Sequence, residues 1–301
     1  MKKYILSILL SGAFMFTACS DFLDEVPKGN ITSEGYYKTA QHAISATNAI
    51  YDYLIIGYAP NGLWDKNYGG TFYNDYWVLQ DMFADNSETN QTSIDYQSVE
   101  NMQIDQYNQP VELLWRDFYQ TIKCCNVVID KVPSIDMDVT LRNQLVAEAK
   151  FFRAMMYFDL IRMFGDVPLR EHNVESAEED ATSRTSKETI YELIFSDLKT
   201  AETDLKYTER FGGGRPYPAS ASALLARVYL TYAAEHHSQE HYQLAVDKAK
   251  SVIPNFPMLE NYGDLFKVAN RFNTEIIWTL NCPKSSSSSA IPTSMESSTP
   301  F

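Results

Sequence analysis

The stretch AEAKFFRAMMYFDLIRMFGDVPL, residues 147–169, decides the fold class of this chain. It is apolar around most of its circumference, but it also contains charged side chains, among them Lys150, Arg153, Asp159 and Arg162. Its longest unbroken apolar run covers only residues 154–158, whereas a helix that spans a bilayer needs roughly 20 apolar residues. The stretch therefore predicts a mostly buried helix that ends at Gly165, with Pro168 preventing its continuation.

The charged side chains of this helix are predicted to hold the scaffold together rather than to form a binding site. Asp159 and Arg162 are three residues apart and can meet on one helical face. Alternatively, Arg153 can reach a carboxylate on a neighbouring helix, because a long cationic stem can lie along an apolar surface.

Helical spacing of apolar residues recurs along most of the chain. It predicts six helices, at about residues 43–54, 110–132, 138–164, 185–205, 221–235 and 242–253. Thr185 and Glu188 resemble a capping box at the start of the fourth helix. Frequent alanines would let successive antiparallel helices approach closely, as in tetratricopeptide arrays, although no strict 34-residue period is visible. The best candidate for a strand is Glu275–Leu280, so the expected fold class is all-α or mainly α, with long inserted loops.

Composition narrows the range of possible partners. The formal net charge is −14, which argues against nucleic acid as a partner, because Lys and Arg must dominate a surface that binds phosphates. The chain contains 20 Tyr, 16 Phe and 4 Trp, which suit a packed helical core or a surface that stacks against sugars.

The N-terminus has the pattern of a bacterial lipoprotein signal. Lys2 and Lys3 precede a short apolar stretch, and small Ala18 is followed by Cys19. The sequence predicts a signal peptide over residues 1–18 and acylation of Cys19, since acyl chains anchor a protein without a spanning helix. An ordinary secreted protein, with Cys19 free or paired, is the alternative.

The remaining cysteines and histidines do not follow the spacing of a known metal site or cofactor site. We therefore expect the protein to hold neither a metal nor a cofactor. Cys125 is predicted to be a core residue. His237, Glu240 and His241 fall within one helical turn, but they lack a zinc signature and are interpreted as a solvated turn between helices.

The segment 57–109 is the candidate binding region, because it is far longer than a connection needs to be and is rich in aromatic residues. Aromatic rings can stack on the apolar faces of sugars while amides and carboxylates bind the hydroxyl groups. The candidate ligand-binding residues are Trp64, Tyr73, Asn74, Asp75, Tyr76 and Trp77. The alternative is that Tyr73 and Trp77, four residues apart, lie on a short helix and pack into the core.

Six segments, in this order, resemble the SusD/RagB family of outer-membrane nutrient-binding lipoproteins. They are ACSDFLDEVP (18–27), ITSEGYYKTAQHAISATNAIYDYL (31–54), LWRDFYQTIKCCNVVIDKVP (114–133), the opening stretch (147–169), GRPYPASASALLARVYL (214–230) and NTEIIWTL (273–280). The acids after Cys19 also resemble the export tag of Bacteroidetes surface lipoproteins. Members of the family are considerably longer, so residues 19–301 are expected to represent the N-terminal part of the family fold, with a low-complexity tail over 283–301.

The resemblance implies a surface-exposed lipoprotein of the outer membrane that is not an enzyme. Such a protein would bind oligosaccharides and deliver them to a partner, a SusC-like TonB-dependent transporter barrel. Two alternatives stay open: a peptide-binding subunit, and a surface glycosidase that would need two carboxyls about 5 to 9.5 Å apart, for which Asp81 and Asp85 are the candidates.

Overall fold

The computed structural model describes residues 36–58, 64–69, 71–72, 74–90, 92–174, 183–206 and 214–280. The fold below is that of the residues from Lys38 onward, since residues up to Tyr37 belong to a separate unit. The predicted signal peptide, Cys19 and the tail over 283–301 all lie outside the described residues.

Helices dominate these residues, which confirms the expected mainly α fold. Eight α-helices occur in the described ranges: α1 Ala40–Ile55, α2 Asn74–Asp81, α3 Ile94–Glu100, α4 Gln109–Lys131, α5 Val139–Phe164, α6 Lys187–Asp204, α7 Pro218–His236 and α8 Gln239–Val252. Short 3-10 turns cover Val132–Ser134, Ile253–Asn255, Tyr262–Phe266 and Val268–Asn270. None of the described helices is long and apolar enough to cross a membrane.

Two small antiparallel hairpins complete the described structure. Strands β1 (Ile56–Tyr58) and β2 (Trp64–Gly69) pair with each other, as do β3 (Val167–Pro168) and β4 (Arg184–Thr185). Strand β2, α2, α3 and all of β1 except Ile56 lie within the segment 57–109, which was predicted to be a long loop.

Helix α5 is the central element of the fold. It packs against α4 and α6, and it is buried on all sides between residues 151 and 161. The side chain of Asp138 accepts a hydrogen bond from the backbone N–H of Leu141 and so caps the start of the helix. The helix ends at Gly165, whose φ of 72° favours glycine, as the sequence predicted.

The helices after α5 continue the packing in sequence order: α6 packs on α5, α7 on α6, and α8 on α7. Only His237 and Ser238 separate α7 from α8, so the chain reverses there as in the predicted antiparallel pairs. Ala147, Ala149 and Ala233 are completely buried, which allows the close approach of neighbouring helices that their size predicts.

The charged residues of α5 have structural roles, as predicted. The Arg153 guanidinium donates to both carboxylate oxygens of Asp197 on α6, at 2.7 and 3.0 Å. Its remaining NH group donates to Asn126 on α4 and to the Glu171 carbonyl. The Arg162–Asp159 ion pair also forms, at 2.9 Å. A single arginine thus connects three segments inside the core.

Two local predictions were wrong. Glu275–Leu280 is irregular rather than a strand. Trp278 in this segment is buried instead against Phe151 of α5, and its indole N–H donates to the Gly214 carbonyl at 2.9 Å, so side-chain packing replaces strand pairing. The cap of α6 is Ser186 rather than Thr185: its hydroxyl accepts from the backbone N–H of Thr189, while Thr185 belongs to β4.

Cys125 is completely buried in α4, which confirms its assignment to the core. Cys124 is partly exposed, and both thiols are free. Burial raises the pKa of each thiol above its ordinary value, so both are expected to stay protonated and chemically quiet at neutral pH.

Candidate functional site

Four of the six candidate binding residues lie on the short helix α2. Asp75 is in its first turn, where a negative charge interacts favourably with the helix dipole. The buried side chains of Val78, Leu79 and Met82 attach the helix and the residue after it to the protein. With eight residues, α2 is too short to be stable in isolation, so its position depends on these contacts.

The other candidates are placed less completely. Tyr73 lies outside the described residues, and β2 begins at Trp64. The side chains of Trp64 and Asn74 also lie outside what the structure describes. The geometry of the candidate site therefore rests on Asp75, Tyr76 and Trp77.

Trp77 presents a large aromatic surface to solvent, with 42% of the residue exposed. The sequence left open whether the aromatic side chains of this segment pack into the core. An exposure of this size on a structured helix leaves part of the indole accessible to a ligand.

Tyr76 has a different environment from its neighbour. Its ring packs edge-on against Phe72 and Phe118, with centroids 4.9 and 6.4 Å away. Its hydroxyl donates to a carboxylate oxygen of Asp159 on α5, at 3.1 Å. Burial, reinforced by the charge of Asp159, raises the pKa of Tyr76, so the hydroxyl remains a donor.

Asp75 is held from a second direction. The hydroxyl of Tyr96, on α3, donates to a carboxylate oxygen of Asp75 at 3.2 Å. Helix α3 is in turn attached to the start of α4, because the Asn108 side chain donates to the Asp95 carbonyl and to the Ser98 hydroxyl, both at 2.9 Å. Asn108 also caps α4 by accepting from a backbone N–H.

A buried carboxylate on α4 lies within electrostatic reach of this helix. Asp117 accepts two hydrogen bonds from the Arg116 guanidinium, at 2.9 and 3.1 Å. The pKa of Asp117 is raised to about 6, mainly by burial; Arg116 opposes this rise and the negative charge of Asp75 adds to it. Asp75 and Asp117 thus form an electrostatically coupled pair between α2 and α4.

Sequence reasoning missed the supporting residues of this site. Asp159 was assigned only to an ion pair within its own helix, although a carboxylate inside a long apolar stretch was a signal that further partners were needed. Tyr96 gave no such signal, because its partner Asp75 is 21 positions away in the sequence. Asp117 gave none either, because its raised pKa results from burial in the folded protein.

No group of three or more His, Cys, Asp or Glu side chains in the described ranges is placed to hold a metal ion. The acids proposed for the glycosidase alternative are both exposed: Asp81 ends α2 and Asp85 lies in the following turn. The arrangement presents an aromatic and carboxylate surface suited to binding.

Residues 21–230 match the family model SusD-like_3, described as starch-binding and associating with the outer membrane. The chain belongs to the SusD-like family. The resemblance inferred from sequence motifs is therefore confirmed.

Individual relatives agree with this assignment. SusD-like protein P2 of Formosa agariphila is 31% identical over 256 residues, which cover 85% of this chain and 47% of that protein. The starch-binding protein SusD of Bacteroides thetaiotaomicron is 29% identical over 161 residues, covering 52% of this chain and 28% of its own length. A solved laminarin-binding SusD-like protein superposes with a TM-score of 0.64 at 28% identity, covering 80% of this chain and 51% of that protein.

The chain spans about half the length of the curated relatives that it matches, with shares of 50%, 47% and 49% for three of them. The match to the family model, over residues 21–230, includes α1 to α6, the first part of α7 and the candidate surface on α2.

Proposed function

We propose that this protein binds oligosaccharides at the surface formed by Trp77 and its neighbours on α2. The observation that carries the proposal is the half-exposed indole of Trp77 on a helix whose other side is buried. Such an indole can stack on the apolar face of a sugar ring, and the adjacent carboxylate of Asp75 can accept hydrogen bonds from sugar hydroxyls.

The charge of the chain supports an uncharged ligand. A formal net charge of −14 would repel polyanions but does not oppose neutral glycans. Two relatives are named for binding starch and laminarin, so glucose-based polysaccharides are the first probes to use.

We further propose that the protein is a lipid-anchored subunit on the outer membrane. Acylated Cys19 would hold it at the cell surface, where it would deliver bound oligosaccharides to a SusC-like TonB-dependent transporter. Replacement of Cys19 by Ser should release most of the protein from the membrane fraction into the soluble fraction or the medium. Unchanged membrane association would contradict the lipid anchor.

Affinity electrophoresis tests the binding surface. We expect the protein to be retarded in gels that contain starch or laminarin, and we expect Trp77→Ala to weaken the affinity about tenfold, which corresponds to about 1.4 kcal/mol. Tyr262→Ala is the matched control, because Tyr262 is an aromatic residue that is 74% exposed and lies outside the segment 57–109. Equal loss in both variants, or no loss in either, would contradict a site at Trp77.

The same preparations distinguish the two alternative functions. Release of reducing ends beyond stoichiometric amounts would show a glycosidase instead of a binding protein. Binding of a peptide library with no retardation by either polysaccharide would favour a peptide-binding subunit.

A further inference from the structure

We propose that Tyr76 is a positioning residue and that the Tyr76–Asp159 and Tyr96–Asp75 hydrogen bonds together fix the rotation of α2 so that Trp77 faces outward. The inference rests on the proposed function, because it assigns roles within the same binding surface. It also assigns supporting roles to Tyr96 and Asp159, two residues outside α2.

Helix geometry determines the directions of the three consecutive side chains on α2. An α-helix has 3.6 residues per turn, so consecutive side chains point about 100° apart. Asp75, Tyr76 and Trp77 must therefore point in three different directions. The structure uses these directions for contact with α3, contact with α5 and exposure to solvent, respectively.

The contact with α5 is firm because its acceptor cannot move easily. Asp159 is 3% exposed and is held by Arg162 through a 2.9 Å ion pair on its other carboxylate oxygen. The Tyr76 hydroxyl reaches into this buried pair while its ring is packed edge-on against Phe118. A tyrosine held at both its ring and its hydroxyl is poorly suited to contact a sugar directly.

The contact with α3 prevents rotation in the other direction. Tyr96 donates to Asp75, and α3 is attached through the buried Asn108 to the first turn of α4. Helix α2 is thereby held by two different scaffold helices: by α5 through the Tyr76 hydroxyl, and by α4 both through the ring contact with Phe118 and through α3. A helix of eight residues with two polar contacts on adjacent positions has little freedom to turn about its axis.

These contacts pre-organise the binding surface. If Trp77 is held in its binding orientation before the ligand arrives, the ligand does not have to order the helix, and affinity rises accordingly. Loss of either hydrogen bond should weaken glycan binding without removing any group that touches the glycan.

The test uses Tyr76→Phe and Tyr96→Phe, which keep the rings and remove only the hydroxyl groups. With laminarin and starch oligosaccharides as probes, we expect each variant to weaken affinity about fivefold, which corresponds to the net contribution of one typical hydrogen bond. Tyr191→Phe is the matched control, because Tyr191 on α6 also donates to a carboxylate, that of Glu235 on α7, at 3.2 Å. This control should keep its affinity within about twofold.

A double-mutant cycle separates positioning from direct contact. If Tyr76 acts through Trp77, Tyr76→Phe should cause no further loss of affinity in the Trp77→Ala background. Additive losses would show that Tyr76 contacts the glycan directly and would overturn the inference. If Trp77→Ala weakens binding but both Phe variants bind normally, the inference fails while the proposed binding surface stands.

A measurement without ligand makes the inference testable even if neither polysaccharide binds. The acrylamide quenching of Trp77 is obtained as the difference between each protein and its Trp77→Phe counterpart. We expect Tyr76→Phe and Tyr96→Phe to change this quenching and Tyr191→Phe to leave it unchanged. Unchanged quenching in both α2-linked variants would overturn the inference, whatever the outcome of the binding assays.

Discussion

Helices α5 and α2 show how two helices of one protein can serve different purposes. Helix α5 has 26 residues and is buried on all sides along its centre, where even its charged side chains are paired. Helix α2 has eight residues, with buried apolar side chains on one side and the exposed Trp77 on another. Full burial gives α5 its rigidity, whereas partial burial leaves α2 with a surface that a ligand can reach.

The two helices are linked through one carboxylate. Asp159 on α5 is completely enclosed, and burial raises its pKa while Arg162 and Arg227 oppose the rise. This carboxylate pairs with Arg162 inside the scaffold and also accepts from Tyr76 on α2. The rigid helix therefore provides the fixed point from which the accessible helix is oriented.

The largest expected effect comes from disrupting the scaffold at Arg153. Arg153→Ala leaves Asp197, which is 1% exposed, without its bidentate partner, and Lys150 at 3.8 Å is a weaker substitute. We expect the free energy of unfolding in urea to fall by about 3–5 kcal/mol, as for other buried ion pairs that lose one partner.

Lys248→Ala is the matched control for this prediction. Lys248 pairs with Glu202 at the surface, where both side chains are more than a quarter exposed. Removal of such a pair should change the free energy of unfolding by less than about 1 kcal/mol. Similar losses in the two variants would contradict the view that burial, rather than pairing as such, makes α5 the rigid element.

The sequence allowed the scaffold to be predicted well because its signals are local. Apolar spacing located six long helices, and the ends of α5 at Asp138 and Gly165 follow from a cap and a glycine. The Arg153 pairing could be anticipated because a buried cation requires a partner. These inferences need only a few neighbouring residues.

Long-range contacts could not be predicted in the same way. Arg215 follows a run of three glycines that gives no hint of a partner, yet its guanidinium pairs at 2.7 Å with Glu148, which is completely buried in α5. The Tyr96–Asp75 and Tyr76–Asp159 contacts join residues 21 and 83 positions apart. Local patterns carry no information about such separations, so the candidate residues could be proposed while the contacts that orient them could not.

A smaller effect concerns pH and the carboxylate pair between α2 and α4. The pKa of Asp117 is raised by burial to about 6 from an ordinary value of 3.8. At a pH between these two pKa values, Asp117 keeps its proton in the folded protein but has released it in the unfolded chain. The free energy of unfolding should therefore fall as pH rises from about 4 to 6 and level off above this range, because the unfolded state binds fewer protons.

Replacement of Asp117 by Asn isolates this contribution, since an amide resembles the protonated carboxyl and does not titrate. Two pKa units correspond to about 3 kcal/mol, so the stability difference between Asp117→Asn and the parent should grow from near zero at pH 4 to at most about 3 kcal/mol at pH 7.

Asp75→Asn provides the link to α2: removal of its charge should lower the pKa of Asp117 and move the fall in stability to lower pH. Urea titrations at four pH values between 4 and 7 would measure both effects. Parallel stability curves for Asp117→Asn and the parent would show that this carboxylate is not destabilised by burial, and an unmoved curve for Asp75→Asn would show that α2 and α4 are electrostatically independent.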